Sequence, residues 1–198
     1  MKIKKSWIII IVIVLLVIIG YSSFKSSYNN MVTMEENVNG KWAQVENVYQ
    51  RRADLIPNLV NTVKGYASHE QETLEGVIEA RARATSVNVN AENLTPETFA
   101  QFQQAQEGLS SALSRLMVVV ERYPDLKANQ NFLELQAQLE GTENRIAVER
   151  MKFNEATQGY NTYIKVFPKN LLASMFGFEK KPYFKATEGA EKAPEVQF

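Results

Sequence analysis

The residues with the most chemical potential lie in one short, otherwise helical stretch. RRADLIPNLV, residues 51–60, holds two arginines, an aspartate and a proline among apolar residues that recur with helical spacing. Arginine and carboxylate groups can serve acid–base chemistry, hydrogen-bond a partner or form a structural ion pair. The sequence around the stretch determines which of these uses is favoured.

An enzyme would need further reactive groups to converge on this stretch. The candidates are carboxylates and arginines of a later helical segment, which would share one cleft with Arg52. The single histidine, His69, lies in HEQE, which lacks the second histidine of a zinc-protease helix. The chain has no glycine-rich phosphate loop and no nucleophile-elbow motif. We therefore predict no catalytic residue, no cofactor and no metal site, and keep as the alternative an enzyme built on Arg52 with Glu143, Arg145, Glu149 and Arg150.

Arg52 occupies an apolar helical stripe, between Tyr49 on one side and Ile56 on the other. A charge in such a stripe requires a carboxylate partner, or else its stem must reach the edge of the helix. Glu149 has a comparable stripe position on the third helical segment. The pattern predicts a buried ion pair between Arg52 and Glu149.

Pro57 interrupts the same helix. It has no N–H, so the carbonyl of Ala53 loses its helical donor, and the usual result is a kink. One interpretation is a bend that lets a long helix follow its neighbours. The other is that the freed carbonyl and nearby side chains form a recognition feature.

A second face of the helix is polar. Its members, called the polar strip below, are Arg51, Asp54, Asn58 and Asn61, which cluster on one side of the helix. Such a face is usually solvated, but amide and ionisable groups can also hydrogen-bond another helix or protein. The sequence leaves both interpretations open.

Three helical segments follow from the apolar periodicity. The first continues to about Ala84, with Gly65 and Gly76 as weak points, and residues 85–94 form a loop. Its stripe is Val38, Trp42, Val45, Tyr49, Arg52, Ile56, Leu59, Val63 and Tyr66.

The second segment starts at Thr95-Pro96-Glu97, a cap followed by proline and an acid, and ends at Tyr123-Pro124. The third follows a cap at Asn129 or Asn131 and ends before Pro168, and residues 171–178 form one short extra turn. Its heptad positions are Phe132, Leu139, Ile146, Phe153, Tyr160 and Phe167.

The N-terminus predicts a membrane anchor. Residues 7–24 contain no charge, which is enough to span a bilayer as a helix. Lys2, Lys4 and Lys5 precede this run, so the positive-inside rule places the N-terminus in the cytoplasm and the rest outside. A cleaved signal peptide is the alternative, but the flanking GYSSFKSSYNN has no small-x-small cleavage site.

Composition narrows the remaining classes. Lys+Arg and Asp+Glu are both 22, so the net charge is zero, and a nucleic-acid partner is not expected. No cysteine is present, which excludes disulfides and thiolate chemistry. The predicted fold is all-α: a transmembrane signal anchor at 1–24, an antiparallel bundle of long helices at 25–178 and a flexible tail at 179–198.

The segment WAQVENVYQRRADLIPNLVNTVKGYASHE, residues 42–70, resembles the LemA family of bacterial membrane-anchored proteins. The resemblance extends to YPDLKAN and LEGTENRIA within residues 123–161, to FPKNLLASMFGF at 167–178 and to the final PEVQF. It implies a single-span membrane protein with a helical domain and no established catalytic residues. In relatives, the neighbouring genes commonly encode membrane proteases or TPM-domain proteins, which the resemblance suggests as partners. The resemblance also implies an orientation with the N-terminus outside, opposite to the lysine-based prediction.

Together these patterns predict a non-enzymatic, membrane-anchored scaffold or adaptor of the cell envelope. It would contact itself, as a homo-oligomer, or an envelope membrane protein. An alternative is an envelope-stress or signalling module whose bundle rearranges at Pro57.

Overall fold

The computed structural model describes residues 5–87, 89 and 94–185, and within them the regular structure is entirely helical. This confirms the predicted all-α class. Lys2 and Lys4, on which the predicted orientation depends, and the tail beyond residue 185 lie outside the described residues. The helices are α1 Lys5–Lys64, α2 Gln71–Ser86, α3 Pro96–Val120, α4 Pro124–Lys127, α5 Gln130–Lys165 and α6 Lys169–Phe176.

Helix α1 begins in the apolar run and continues without a break past Pro57 to Lys64. The side chains from Trp7 to Phe24 are exposed, as expected of a segment whose natural surroundings are lipid. In the described part of the chain, this is the one helix long and apolar enough to cross a membrane. The structure is thus consistent with a single-pass anchor whose helix extends directly into the rest of the protein.

Residues 40–155 and 181–185 belong to one of two compact units. Arg52 of α1 contacts α3 at Gln106 and α5 at Glu143. Trp42, lower on α1, meets Phe99 of α3 and Phe153 of α5. Helix α1 therefore runs parallel to α3 and antiparallel to α5. With α2 returning from the end of α1, the four helices form an up-down-up-down bundle.

Part of the core of this unit is an apolar cluster around the C-terminal end of α1. α1 contributes Ile56, Leu59 and Val63, and further members come from α2, α3 and α5. Burial of these stripes, rather than intrinsic helix propensity, stabilises helices of this length in water.

The helix boundaries follow the local sequence signals. α1 ends beside Gly65, whereas α2 continues through Gly76. Thr95 caps α3 with a reciprocal bond pair, in which Thr98 N donates to Thr95 Oγ1 and Thr95 N donates to Thr98 Oγ1. At α5 the cap is Asn129, whose Oδ1 accepts from the Phe132 amide at 3.0 Å.

The other unit contains residues 5–39 and 156–180 within the described chain. The N-terminal part of α1 runs antiparallel to the end of α5, since Asn30 bonds Tyr163 and Met34 meets Gly159. The predicted heptad series fails at its last member: α5 ends at Lys165, and Phe167 is 80% exposed. Beyond the helix end, the seven-residue spacing no longer holds a side chain on the buried face.

The start of the predicted flexible tail is held by packing. Phe184 is buried against Trp42, Phe99 and Phe153. Asn154 holds the backbone of Phe184 at both its N–H and its C=O, each at 2.9 Å. The pair Tyr183-Phe184 stands in a short charged segment without periodicity, so the sequence did not predict this docking.

Candidate functional site

Arg52 is 1% exposed and joins three helices. Its Nη1 donates to Glu143 Oε1 of α5 at 2.6 Å and to Ser110 Oγ of α3 at 3.0 Å. Its Nη2 donates to Gln106 Oε1 at 2.6 Å and to the Gln106 carbonyl at 3.3 Å. The predicted position of Arg52 in the apolar stripe is therefore correct, and its charge is compensated by Glu143, whose side chain is half-exposed.

The partner of Arg52 is Glu143, not the predicted Glu149. Glu149 instead accepts from Lys152 at 2.8 Å, one turn along its own helix. Both glutamates belong to α5, but they are six residues apart, about 9 Å along the axis. The axial alignment of α1 with α5 decides which carboxylate Arg52 reaches.

Gln106 extends the Arg52 contacts to a fourth helix. While its Oε1 accepts from Arg52, its Nε2 donates to the Ala84 carbonyl at the end of α2. Gln106 lies on the buried stripe of α3 between Phe102 and Leu109, where an apolar residue would be expected. A glutamine at a buried position of an apolar stripe is the sequence signal that could have identified Gln106 as a partner of Arg52.

The Tyr49 ring covers the Arg52 guanidinium, whose central carbon lies 5.0 Å from the ring centroid. Burial raises the pKa of the Tyr49 phenol, and the charges of Arg150 and Arg52 oppose that shift. The Tyr49 ring thus stabilises the Arg52 guanidinium by a cation–π contact.

The carbonyl released by Pro57 has a donor. Arg81 of α2 donates from Nε to the Ala53 oxygen at 2.7 Å. A side chain thus replaces the missing backbone N–H and joins α1 to α2 at the same point. Because the freed carbonyl is occupied by Arg81 within the bundle, this contact does not favour the recognition interpretation of Pro57.

All four residues of the polar strip, and Pro57 with them, are exposed. Asp54 accepts from Gln50 on its own helix at 2.8 Å. Asn58 and Asn61 line a groove of about 360 Å³ whose other wall is α5, with Asn131, Glu134 and Gln138. The strip is therefore accessible, and its C-terminal half forms one wall of a groove rich in amides.

The carboxylates and arginines of the enzyme alternative do not converge in one cleft. Glu143 meets Arg52, whereas Glu149 pairs with Lys152. Arg150 covers the Phe184 ring at 4.4 Å and donates to the Lys185 carbonyl, while Arg145 is exposed. Among the described residues, no three His, Asp or Glu side chains are grouped to hold a metal ion. The geometry lends the enzyme alternative no support.

Residues 41–198 match the profile of the LemA family. The chain belongs to the LemA family. This membership confirms the resemblance, and the matched range includes RRADLIPNLV at residues 51–60.

Two similar proteins are magnetosome proteins MamQ 1 and MamQ 2 of Paramagnetospirillum magneticum. Each is 29% identical over 176 residues, covering 79% of this chain and 64% of the relative. The match thus spans just under two thirds of their length. Protein LemA of Metamycoplasma hominis is 20% identical over 168 residues, covering 85% of this chain and 73% of that protein. These relatives agree with the family membership, and the apolar run of α1 is consistent with a membrane anchor.

The structure divides the motif of this LemA-family chain into two faces. Arg52 and the Ala53 carbonyl are joined to neighbouring helices, and the polar strip remains outside. The division follows helical geometry, because positions 51, 54, 58 and 61 turn away from the stripe that contains Arg52.

Proposed function

We propose that this protein is a non-enzymatic, membrane-anchored scaffold or adaptor of the cell envelope, acting through the polar strip of α1. The observation that carries the proposal is the division of RRADLIPNLV into an inner face occupied by bundle contacts and an outer face exposed to contact. A scaffold needs a rigid helix that presents polar groups. The contacts of the inner face provide the rigidity, and the outer face provides the polar groups.

The inner contacts support rigidity. Arg52 joins α1 to α3 and α5, and Arg81 joins α2 to α1 at the proline. Charge-assisted hydrogen bonds of this kind are among the stronger protein contacts. They hold the helical phase of α1, and hence the direction in which the strip faces.

The outer groups support contact with another protein. Asn58 and Asn61 offer amide donors and acceptors in the groove shared with α5, and Arg51 and Asp54 offer opposite charges one turn earlier. Paired polar groups at a surface favour specificity and register over raw affinity. A surface of this type fits a transient partner better than a permanent hydrophobic interface.

The partner is a second copy of the chain or another membrane protein of the envelope, of the membrane-protease or TPM-domain type that the family resemblance suggests. The magnetosome assignment belongs to the MamQ relatives by name. We carry none of it over to this chain, whose proposed attachment to a membrane rests on its own apolar helix.

We propose that the bundle lies outside the cytoplasm, on the periplasmic side, because the lysines before the span favour a cytoplasmic N-terminus. Protease treatment of intact cells and of spheroplasts, with a tag at the C-terminus, tests this orientation. Loss of the tag in spheroplasts agrees with it. Protection until the membrane is opened would place the bundle in the cytoplasm.

Affinity purification from native membranes tests the scaffold proposal. The strip variant Asn58→Lys/Asn61→Lys is compared with a matched control, Gln104→Lys/Ser111→Lys, which adds two lysines to exposed positions of α3. We expect the strip variant to lose a partner that the wild type and the control retain. Equal recovery with all three proteins would contradict a role for the strip.

A further inference from the structure

A stripe of apolar side chains is exposed at α6. Leu171 and Met175 lie four residues apart on one face of α6 and are 59% and 70% exposed, and Phe167, two residues before the helix, is 80% exposed. Ala173 of the same helix is buried, so α6 packs on one side and presents the stripe on the other. Large apolar residues exposed as a stripe, rather than singly, indicate a surface that is covered in the cell.

This stripe belongs to the helix that packs at the end of the membrane span. The ring of Phe176 contacts Phe24 at 5.7 Å and Tyr28 at 5.0 Å between centroids. Phe24 is the last residue of the uncharged run, and Tyr28 is one turn, about 6 Å, beyond it. Phe176 therefore lies at the level where a spanning helix leaves the hydrocarbon, the level that aromatic side chains favour.

The charges around α6 suit a lipid surface. Between residues 24 and 34 the single charge is Lys25, and residues 163–180 carry Lys165, Lys169, Lys180 and Glu179. Four cations against one carboxylate favour anionic head groups. An exposed apolar stripe flanked by lysines is also the pattern of a helix that lies in the membrane interface.

We propose that α6 is an interfacial helix that lies on the bilayer from which α1 emerges, with Phe167, Leu171 and Met175 inserted among the lipids. The occupant of the apolar stripe is the membrane itself. The inference requires that the anchor crosses a membrane, and it is independent of any protein partner of the polar strip. A second membrane contact would restrict how the base of α1 tilts.

Depth-dependent fluorescence of the full-length protein tests this assignment. Because the chain contains no cysteine, Leu171→Cys and Met175→Cys each accept one environment-sensitive nitrobenzoxadiazole label. The matched control is Asn170→Cys, an exposed position of the same helix outside the stripe. The proteins are reconstituted in vesicles of phosphatidylcholine and phosphatidylglycerol, with and without brominated acyl chains.

We expect labels at 171 and 175 to emit at shorter wavelength than the label at 170, and to lose more than half of their emission to brominated lipid. Water-like emission from all three labels would overturn the proposal. A blue shift without lipid quenching would also overturn it, because a protein would then cover the stripe. Circular dichroism of each labelled protein verifies that the helical fold is retained.

Discussion

The guanidinium of Arg81 donates from Nε to the backbone carbonyl of Ala53 at 2.7 Å. That carbonyl is the one whose helical donor is absent, because the residue four positions later is Pro57. The proline and the arginine thus form one device, in which α1 loses a backbone bond and gains a junction with α2.

The loss of stability caused by Arg81→Gln should therefore depend on whether the Ala53 carbonyl has another hydrogen-bond donor. With Pro57 present, the carbonyl is left without its partner, and we expect a loss of about 1–3 kcal/mol in the free energy of unfolding. In the Pro57→Ala background, the new backbone N–H can take the same carbonyl, so the cost should fall by half or more. Chemical denaturation of the four proteins in a double-mutant cycle measures this coupling.

Arg83→Gln is the matched control on α2, since its exposed pair with Glu79 should be worth no more than about 1 kcal/mol. Equal costs of Arg81→Gln in both backgrounds would show that proline and arginine are independent. A signalling role for Pro57 predicts instead that Pro57→Ala alters the cellular phenotype beyond its change in stability.

The Arg52 junction should be more sensitive at its buried end than at its exposed end. Arg52→Met removes the charge and leaves the Gln106 amide oxygen without its donor, so we expect a loss of about 2–3 kcal/mol. Glu143 is 48% exposed, and Glu143→Gln should cost only about 1 kcal/mol. Denaturant unfolding of the solubilised full chain gives both values.

Glu149→Gln provides the control for this pair, because Glu149 is joined to Lys152 on its own helix. Its effect should stay within about 0.5 kcal/mol. A larger loss at Glu149 than at Glu143 would reverse the assignment of the ion pair.

Phe184 should stabilise the bundle although it lies outside every helix. It packs with Trp42, Phe99 and Phe153. Phe184→Ala should cost about 3 kcal/mol, at the low end for a buried phenylalanine because the segment can relax. Tyr183→Ala, at the exposed neighbouring position, should be close to neutral. Thermal unfolding monitored by circular dichroism compares the two, and equal effects would contradict the docking of Phe184.

Glu46 gives the fold a pH dependence of known sign. Burial raises the pKa of this carboxyl above 4.5, so the folded state favours the protonated form. Its stabilising contribution is present at acid pH and is lost as the pH rises through the raised folded-state pKa. Glu46→Gln cannot ionise and should exceed the wild type in stability at pH 7. Its advantage should vanish below about pH 4. An advantage independent of pH would contradict the assignment.

The sequence predicted the features that depend on a single helix, such as its cap and its buried face. Thr95 was identified as a cap and Arg52 as a member of the buried stripe, because both follow from local hydrogen bonding and helical phase. Asn129 was one of two cap candidates, and only the Phe132 amide bond distinguishes it from Asn131.

Most of the errors and omissions involve contacts across the fold. Choosing Glu149 over Glu143 required the axial alignment of α1 and α5, and periodicity within a helix does not contain that alignment. Arg81 and Phe184 were missed for the same reason, since each acts on an element distant in sequence. Phe167 was misplaced because its heptad spacing was continued beyond the last turn of α5.

Site-specific photo-crosslinking in native membranes tests the central claim most directly, that the inner face of RRADLIPNLV is structural and its outer face makes contact. A photoreactive residue is placed in turn at each position of the polar strip and at the exposed controls Gln104 and Ser111. We expect one discrete crosslinked product from at least two strip positions and none from the controls. Unreacted protein at all four strip positions, or the same products from the controls, would contradict the claim.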